Sequence, residues 1–460
     1  MFLRKDVIKL TMPVIAEQAF LMIMGVINAI MAGHLGKEVV SAIGMVDSIN
    51  NIFIAFFSAL AVGGTVVVAH YSGLKNYKSA NEAARHTLLA GLLLSVAVTL
   101  VIFIFRHSLI VMLFGSAEKD VANNSLMYLG ITLLTYPLIA LTSVACGVLR
   151  GAGDTKTPMK ITIMMNFFNI VLSYVLIYGF KFGSVHFQIE IPGFGLRGAA
   201  YGIAAARTIG AMLVTLVLFR GSKIIKLTID RTFRPDFEIL KSIFGVGLPA
   251  SIESLLFNGG KLITQIFIVS MGTASIAANY IAGSVFGLIN IPGAALSIAA
   301  TTLIGQHMGR GEKEEARATS IYLVKAASLC LLIACAVIFP LSRLMASAYT
   351  GNAEVVEISA FLIRTSLISM PLLWALSFIL PAALKGAGDA RYTLIVSVIS
   401  MWTFRIALSY VIGITLKQGV AGIWYGMYID WLFRSVLFYI RLRRGKWMRN
   451  VVVKRLDEAM

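Results

Sequence analysis

The chain is 460 residues long, 58% apolar and only 13% charged, with a formal net charge of +18. A typical soluble domain carries about a quarter charged residues, so lipid must cover much of this surface. The charge calls for no nucleic acid, because most of the 40 Lys and Arg fall in alternate loops and the C-terminal tail, a positive-inside pattern that puts both termini in the cytosol.

Apolar runs near the ~20 residues of a bilayer crossing recur along the chain. The expected spans cover roughly 10–32, 46–70, 86–106, 124–147, 159–180 and 197–219 in the first half. In the second half they cover 246–270, 277–306, 319–341, 355–381, 393–416 and 421–441. The first run, Val7 to Ala32, is too long for a signal-peptide core and is expected to stay as a span. The polar stretch Arg220 to Lys241, with Pro235, reads as a linker. The expected division is a six-helix lobe over 1–219, a cytoplasmic linker over 220–241, a second six-helix lobe over 242–442 and a basic cytoplasmic tail over 443–460. In that tail Arg441, Arg443, Arg444, Lys446 and Arg449 are expected against anionic headgroups. The three cysteines lie in apolar runs and are expected to be buried packing residues.

The two halves are copies. A shift of 236 residues puts Pro13 on Pro249, Glu17 on Glu253, Gly36 on Gly272 and Gly73 on Gly309. At 235, Leu149-Arg150-Gly151-Ala152-Gly153-Asp154 falls on Leu384-Lys385-Gly386-Ala387-Gly388-Asp389. At 236 again, Leu172-Ser173-Tyr174-Val175 falls on Leu408-Ser409-Tyr410-Val411. After a longer outer loop around Gly183 to Gly195, Tyr201-Gly202 falls on Tyr425-Gly426. Six spans per copy means that the copies share one orientation and are related by an axis along the membrane normal. Two like bundles leave a cleft between them, and rocking opens it to alternate sides.

Ionisable groups within a bilayer cost roughly 2.5–3.5 kcal/mol at its centre, so each needs a reason. Glu17 and Glu253 each lie one turn after a proline, which frees the carbonyl of Lys9 or Gly245. A carboxylate beside a free carbonyl suits a proton, a sodium ion or a cationic ligand; equally, each carboxylate can pair with a neighbour and fix helix packing. Asp47 opens the second span, either solvated or facing a cavity. Asp430 and Arg434, four apart, are expected to pair with each other. Lys261 and Arg405 are expected to neutralise acids on other spans. Asn28, Asn166, Asn169, Ser173, Asn258, Gln265, Asn279 and Asn290 are expected to bond between helices, a few of them lining a wet cavity. The loop Arg150 to Pro158 lacks P-loop spacing and reads as a tight turn. No nucleotide-binding domain, catalytic triad or metal-ligand spacing is visible, so an ion gradient is the expected energy source, with no cofactor, no metal and no enzymatic role.

The twin Leu-Arg/Lys-Gly-Ala-Gly-Asp loops, the motif Met31-Ala32-Gly33-His34-Leu35-Gly36 and the opening Met12-Pro13 and Leu248-Pro249 resemble the MATE (multidrug and toxic compound extrusion) family over essentially the whole chain. The resemblance implies an all-α, V-shaped, two-lobed transporter of twelve helices in two parallel repeats. It implies antiport: protons or sodium ions exchanged for small cationic or amphipathic organic compounds by alternating access. A monomer in the plasma membrane is the corresponding expectation. The related fold of lipid-linked precursor or polysaccharide exporters is the alternative, and it would need Lys261, Arg364 and Arg405 lining the cavity. This chain departs from the family in its acids. Asn28 and Ser173 stand where members often carry aspartates, Ser173 four residues after the retained Asn169. Phe257 and Trp374 stand where a bacterial branch has a glutamate and an aspartate. Ion-coupling or substrate-binding candidates are therefore Glu17, Glu253, Asp47, Asn28, Asn169 and Ser173.

Overall fold

The computed structural model describes residues 2–33, 35–114, 119–184, 187–228 and 235–453. His34, residues 229–234 of the expected linker and residues 454–460 of the expected tail lie outside the described residues. In the first half run α1 (Phe2–Gly33), α2 (Lys37–Gly73), α3 (Tyr77–Phe114), α4 (Lys119–Leu133), α5 (Tyr136–Gly151), α6 (Lys156–Tyr178) and α7 (Leu196–Arg220). In the second run α8 (Phe237–Val269), α9 (Thr273–Ile289), α10 (Ile291–Arg310), α11 (Lys313–Ser347), α12 (Ala353–Ser369), α13 (Ala375–Gly386), α14 (Ala390–Ser400) and α15 (Gly419–Arg444). Among the described residues nine segments are long and apolar enough to cross a bilayer alone, and eleven when each bent pair counts as one. The 26-residue α15 is the twelfth. At ~1.5 Å per residue it is long enough, but its charged residues lower its hydropathy.

Two of the expected spans are bent. Helices α4 and α5 meet at 49°, and α9 and α10 at 53°. Pro137 and Pro292 start the second member of each pair, where a missing N–H does no harm. At the first bend the Thr132 carbonyl accepts from Thr135 Oγ1 at 2.6 Å and from Arg207 Nη1 at 3.2 Å. Arg207 thus replaces a backbone donor that the bend removes. By the 235 shift of the loop that ends this span, Leu134 corresponds to Ser369, next to a π-helical stretch, Met370–Trp374, that joins α12 to α13. The two halves break the same span at the same height, one by a bend and one by a widened turn.

A second π-helical stretch, Met401–Leu408, follows α14. The repeat offset rises from 235 to 236 there, between the Gly-Ala-Gly loops and Leu172/Leu408. A π turn is how a helix absorbs one extra residue, so the stretch accounts for the offset change. The outer loop of the first half holds a hairpin of β1 (Phe180–Ser184) and β2 (Phe187–Ile191).

The twin loops are tight turns, as expected. Asp154 N donates to Leu149 O at 2.9 Å and Asp389 N to Leu384 O at 2.8 Å. Gly153 and Gly388 take φ of 79° and 85°, the left-handed region that glycine enters without cost. The two halves meet close to these loops, where α2 crosses α10. A Cβ on Gly73 would lie 2.2 Å from Gln306 O, and one on Gly309 would lie 2.1 Å from His70 O. Only glycine permits so close a crossing. Beside it, His70 Nε2 donates to Gly386 O at 2.9 Å and Gln306 Nε2 to Gly151 O at 3.1 Å. His70 and Gln306 are 236 apart and their acceptors 235 apart, so the same hydrogen bond is made twice across the seam. Cys146 and Cys335 are buried as expected, whereas Cys330 is exposed.

Candidate functional site

The paired glutamates are bound in matching ways. Glu17 Oε1 accepts from Arg150 Nη2 at 2.7 Å and from Thr162 Oγ1 at 2.9 Å. Glu253 pairs with Lys385 Nζ at 2.9 Å and accepts from Ser397 Oγ at 3.0 Å and Thr393 Oγ1 at 3.2 Å. Both carboxylates are buried. Arg150 and Lys385 are the basic residues of the twin loops. They read from sequence as cytosolic charges, and only the repeat hinted that two glutamates needed two partners. The shift of 235 puts Thr162 on Ser397 and Pro158 on Thr393. Pro158 has no hydroxyl, and Glu17 Oε2 is left without a hydrogen-bond partner among the described residues.

Glu17, Arg150 and Thr162 line a cavity of about 680 Å³ with Asn166, Asn169 and Arg207, closed on one side by Ile298 and Thr301 of α10. That volume lies within the ~300–1,000 Å³ of small-molecule sites. Gln18 and Leu21 also belong to a cleft of about 780 Å³ between α1 and the α9–α10 elbow, with Tyr280, Asn290 and Tyr349. Asn169 and Ile203 belong also to a second, smaller pocket of about 340 Å³ deeper in the first half. Three neighbouring spaces thus run from the cleft into the first half.

The smaller pocket gathers four of the expected residues: Asn28, Asp47, Asn169 and Ser173. Asp47 faces this pocket. It accepts from Asn50 Nδ2 at 3.3 Å, Tyr136 OH anchors Asn50 Oδ1 at 2.6 Å, and no ion pair engages Asp47 among the described residues. Ser173 Oγ donates to Asn169 Oδ1 at 3.0 Å. The positions where acids are missing and the acid that is present therefore share one wall-to-wall space. Sequence reasoning could not place Asp47 beside Asn28, because they lie on different helices whose packing no local pattern encodes.

The second half differs. Asp430 does not pair with Arg434 as expected. Its partner is Arg405, at 3.6 Å from Oδ2, and Ser400 Oγ donates to Oδ1. Arg434 turns instead toward α13, donating to Ser377 O at 3.2 Å and stacking over Phe378 at 4.9 Å. The i, i+4 rule failed because Arg405, on the π-helical stretch, reaches the carboxylate from another helix. Lys261 lies 4.8 Å over the Phe257 ring and pairs with no carboxylate among the described residues. Arg364 is exposed and donates to Ser342 Oγ at 2.8 Å. It lines none of the cavities above, which removes the support that the lipid-linked alternative required. Glu357, at the surface, pairs with Arg343 at 2.7 Å.

The loop acids are structural. Arg441 clamps Asp389 with two bonds of 2.7 and 3.1 Å, so it is not free for headgroups. Asp154 accepts from Thr157 N at 3.1 Å and from Ser222 Oγ. Burial raises its carboxyl pKa, but the Ser222 and Thr157 bonds and the Lys223 charge outweigh burial and hold it below the ordinary carboxylate range.

The MatE family model matches residues 13–175 and again 249–411, one match per repeat. The chain is 28% identical over 453 residues to a probable multidrug resistance protein NorM of Thermotoga maritima, covering 98% of this chain and 95% of that one. It is 28% identical over 445 residues to an uncharacterized transporter, YisQ, of Bacillus subtilis (96% and 94% covered). It is 26% identical over 443 residues to the multidrug resistance protein MdtK of Pectobacterium atrosepticum (94% of each). A structure described as an outward-facing multidrug resistance MATE family transporter superposes with a TM-score of 0.87 at 23% identity, covering 98% of this chain and 97% of that one. A transporter of the MOP superfamily from Pyrococcus furiosus, described as having a binding pocket of reverse polarity, gives the same score and coverage. These likenesses bear on the fold, two lobes of six helices each. With both repeats matched, the chain belongs to the MatE family and is a multi-pass membrane transporter.

Proposed function

We propose that the protein is a secondary active antiporter that exports small cationic or amphipathic organic compounds in exchange for protons or sodium ions. The observation that carries this reading is the cleft adjoining the Glu17 cavity, which adjoins the Asp47 pocket. In this reading the cargo occupies the larger cavity, which Glu17 lines with its buried carboxylate. Asp47 is the coupling carboxylate. Arg207 acts on its charge from a distance but hydrogen-bonds to Thr132 and Thr135, and no direct ion pair engages Asp47 among the described residues, so a proton or sodium ion can neutralise it, with Asn28, Asn169 and Ser173 as neutral oxygen donors around the ion. Asp47 thereby does the work of acids missing at positions 28 and 173. Glu253, held by three donors, anchors its lobe.

Residues 1–219 and 242–442 act as the rocking lobes in this reading, joined by 220–241, with the tail 443–460 and both termini in the cytosol and one chain as the working unit. The multidrug names of the relatives, NorM and MdtK, agree with a broad cargo range. The test uses proteoliposomes loaded with a fluorescent cationic dye, with a proton or a sodium gradient imposed. Asp47→Asn should abolish gradient-driven dye movement while leaving dye binding to the purified protein intact. Undiminished coupled transport by Asp47→Asn would sink the assignment.

A further inference from the structure

The repeat tells which residues of the second half occupy the place of the first-half cavities. By the shift of 236, Leu21, Gly25 and Asn169 correspond to Phe257, Lys261 and Arg405. Past the outer loop, by the shift of 224 that matches Tyr201-Gly202 to Tyr425-Gly426, Ala206 and Gly210 correspond to Asp430 and Arg434. The structure bears out that register: a Cβ on Gly202 would meet Ser173 Oγ, and one on Gly426 would meet Ser409 Oγ. Leu21, Gly25, Asn169 and Ala206 all line the first-half cavities. So where the first lobe lines its spaces with small or neutral residues, the second has an aromatic ring, two cations and one acid, and Arg434 stands one turn beyond that acid.

The three cations gather round one ring. Lys261 Nζ, Arg405 Cζ and Arg434 Cζ lie 4.8, 5.3 and 5.7 Å from the Phe257 centroid. Asp430 pairs with Arg405, and Glu253 acts on Arg434 from a distance while being held by Lys385. Arg434 is 3% exposed, yet its Nε and Nη1 have no hydrogen-bond partner among the described residues. Buried guanidinium donors are ordinarily satisfied, and a guanidinium fork fits a planar oxyanion. Lys261 is exposed, which gives the cluster an open side. Arg405 stands on the Met401–Leu408 π-helical stretch, and such turns recur at binding sites.

We propose that the second lobe holds a binding site for one anionic group, a carboxylate, sulfonate or phosphate ester, formed by Lys261, Arg405 and Arg434 around Phe257. The apolar Phe257 and Phe378 rings beside the cations suit an anion attached to an aromatic or aliphatic body. As a cargo site it rests on the export reading above; as an anion site it does not. The same chemistry is offered by the acidic group of a zwitterionic or acidic cargo and by an anionic lipid headgroup.

The experiment measures fluorescence anisotropy of carboxyfluorescein, an anionic dye, and of rhodamine 6G, a cationic one, on purified protein in phosphatidylcholine nanodiscs. Carboxyfluorescein should bind the parent and lose roughly tenfold or more in affinity in Lys261→Gln and in Arg405→Gln, while rhodamine binding holds. Lys261 pairs with no carboxylate among the described residues, so Lys261→Gln keeps the fold even if Arg405→Gln, which frees Asp430, does not. Repeating the titration in nanodiscs containing phosphatidylglycerol separates the sources. Weaker dye binding there, with phosphatidylglycerol retained in native mass spectra of the parent but not of Lys261→Gln, assigns the site to a headgroup; unchanged dye binding assigns it to cargo. Carboxyfluorescein that fails to bind the parent, or binds parent and Lys261→Gln alike, overturns the proposal. Rhodamine that fails to bind the parent counts against the export reading alone.

Discussion

The two lobes share a scaffold and differ in what fills it. Both keep the proline, the glutamate, the hydroxyl at 162 or 397 and the Gly-Ala-Gly-Asp turn that supplies the basic partner. Yet the first lobe encloses spaces lined by Gly25, Asn28, Asp47, Asn169 and Ser173, whereas the second puts Lys261 in the place of Gly25 and Arg405 in the place of Asn169, with Arg434 beside them around the Phe257 ring. Around these sites the first lobe sets Glu17 and Asp47 beside Arg150 and Arg207; the second sets Glu253 and Asp430 beside Lys261, Lys385, Arg405 and Arg434. Duplication has preserved the residues that hold helices together and changed those around the interior spaces. The asymmetry, more than the symmetry, marks where function resides.

The glutamate pairs give the sharpest way to break this comparison. Glu253→Gln strands Lys385 in a lobe already rich in positive charge, and loss of one partner of a buried pair costs roughly 3–5 kcal/mol. Glu17→Gln should cost less, since Glu17 Oε2 has no partner to lose. Thermal unfolding in detergent reads both, and a larger loss at Glu17 would overturn the ranking. The glycine seam comes next. Gly73→Val and Gly309→Val each force side-chain atoms against a carbonyl, an overpacking cost of about 1–3 kcal/mol. Dye export should fall severalfold and equally in the two variants; a fall in only one would show that the seam is not used symmetrically. His70→Ala and Gln306→Ala each remove one cross-seam hydrogen bond, worth about 1 kcal/mol. Each should raise amide exchange in the opposite lobe's loop, at Gly386 or Gly151 respectively.

The smallest effect concerns Asp154, whose carboxyl is held below the ordinary range. A depressed carboxylate pKa stabilises the fold above the unfolded value, about 3.9, and that contribution is lost as pH falls through the lowered folded value. Asp154→Asn should therefore melt lower than the parent at pH 7, and the gap should narrow below about pH 4. A gap that widens on acidification would refute the sign.

Much of the fold was legible because it is written in long-range periodicities. Apolar run length fixed the spans, and the matched prolines, glutamates and twin loops exposed the repeat. The site was legible only where one residue carries its own reason to be noticed, as Glu17, Glu253 and Asp47 do inside apolar runs. What escaped was partnership. Arg150 and Lys385 looked like loop charges because their positions lie at the ends of spans, and the fold alone swings them onto the glutamates. Asp430 and Arg434 looked like a pair because helical spacing is local, while Arg405 arrives from a π-helical stretch that no composition reveals. The bends at Thr135 and Asn290 were foreshadowed by Pro137 and Pro292, but proline inside a span is compatible with continuity, as Pro13 and Pro249 demonstrate in α1 and α8.

The crossing of α2 and α10 has a mechanical consequence. Backbone lies against backbone there, so no side chain must change rotamer for the helices to part or to meet again. Such a crossing resists sideways slip through its tight fit, and the hydrogen bonds beside it, His70 to Gly386 and Gln306 to Gly151, break when it opens. A seam of this kind can cycle many times without accumulating misfit.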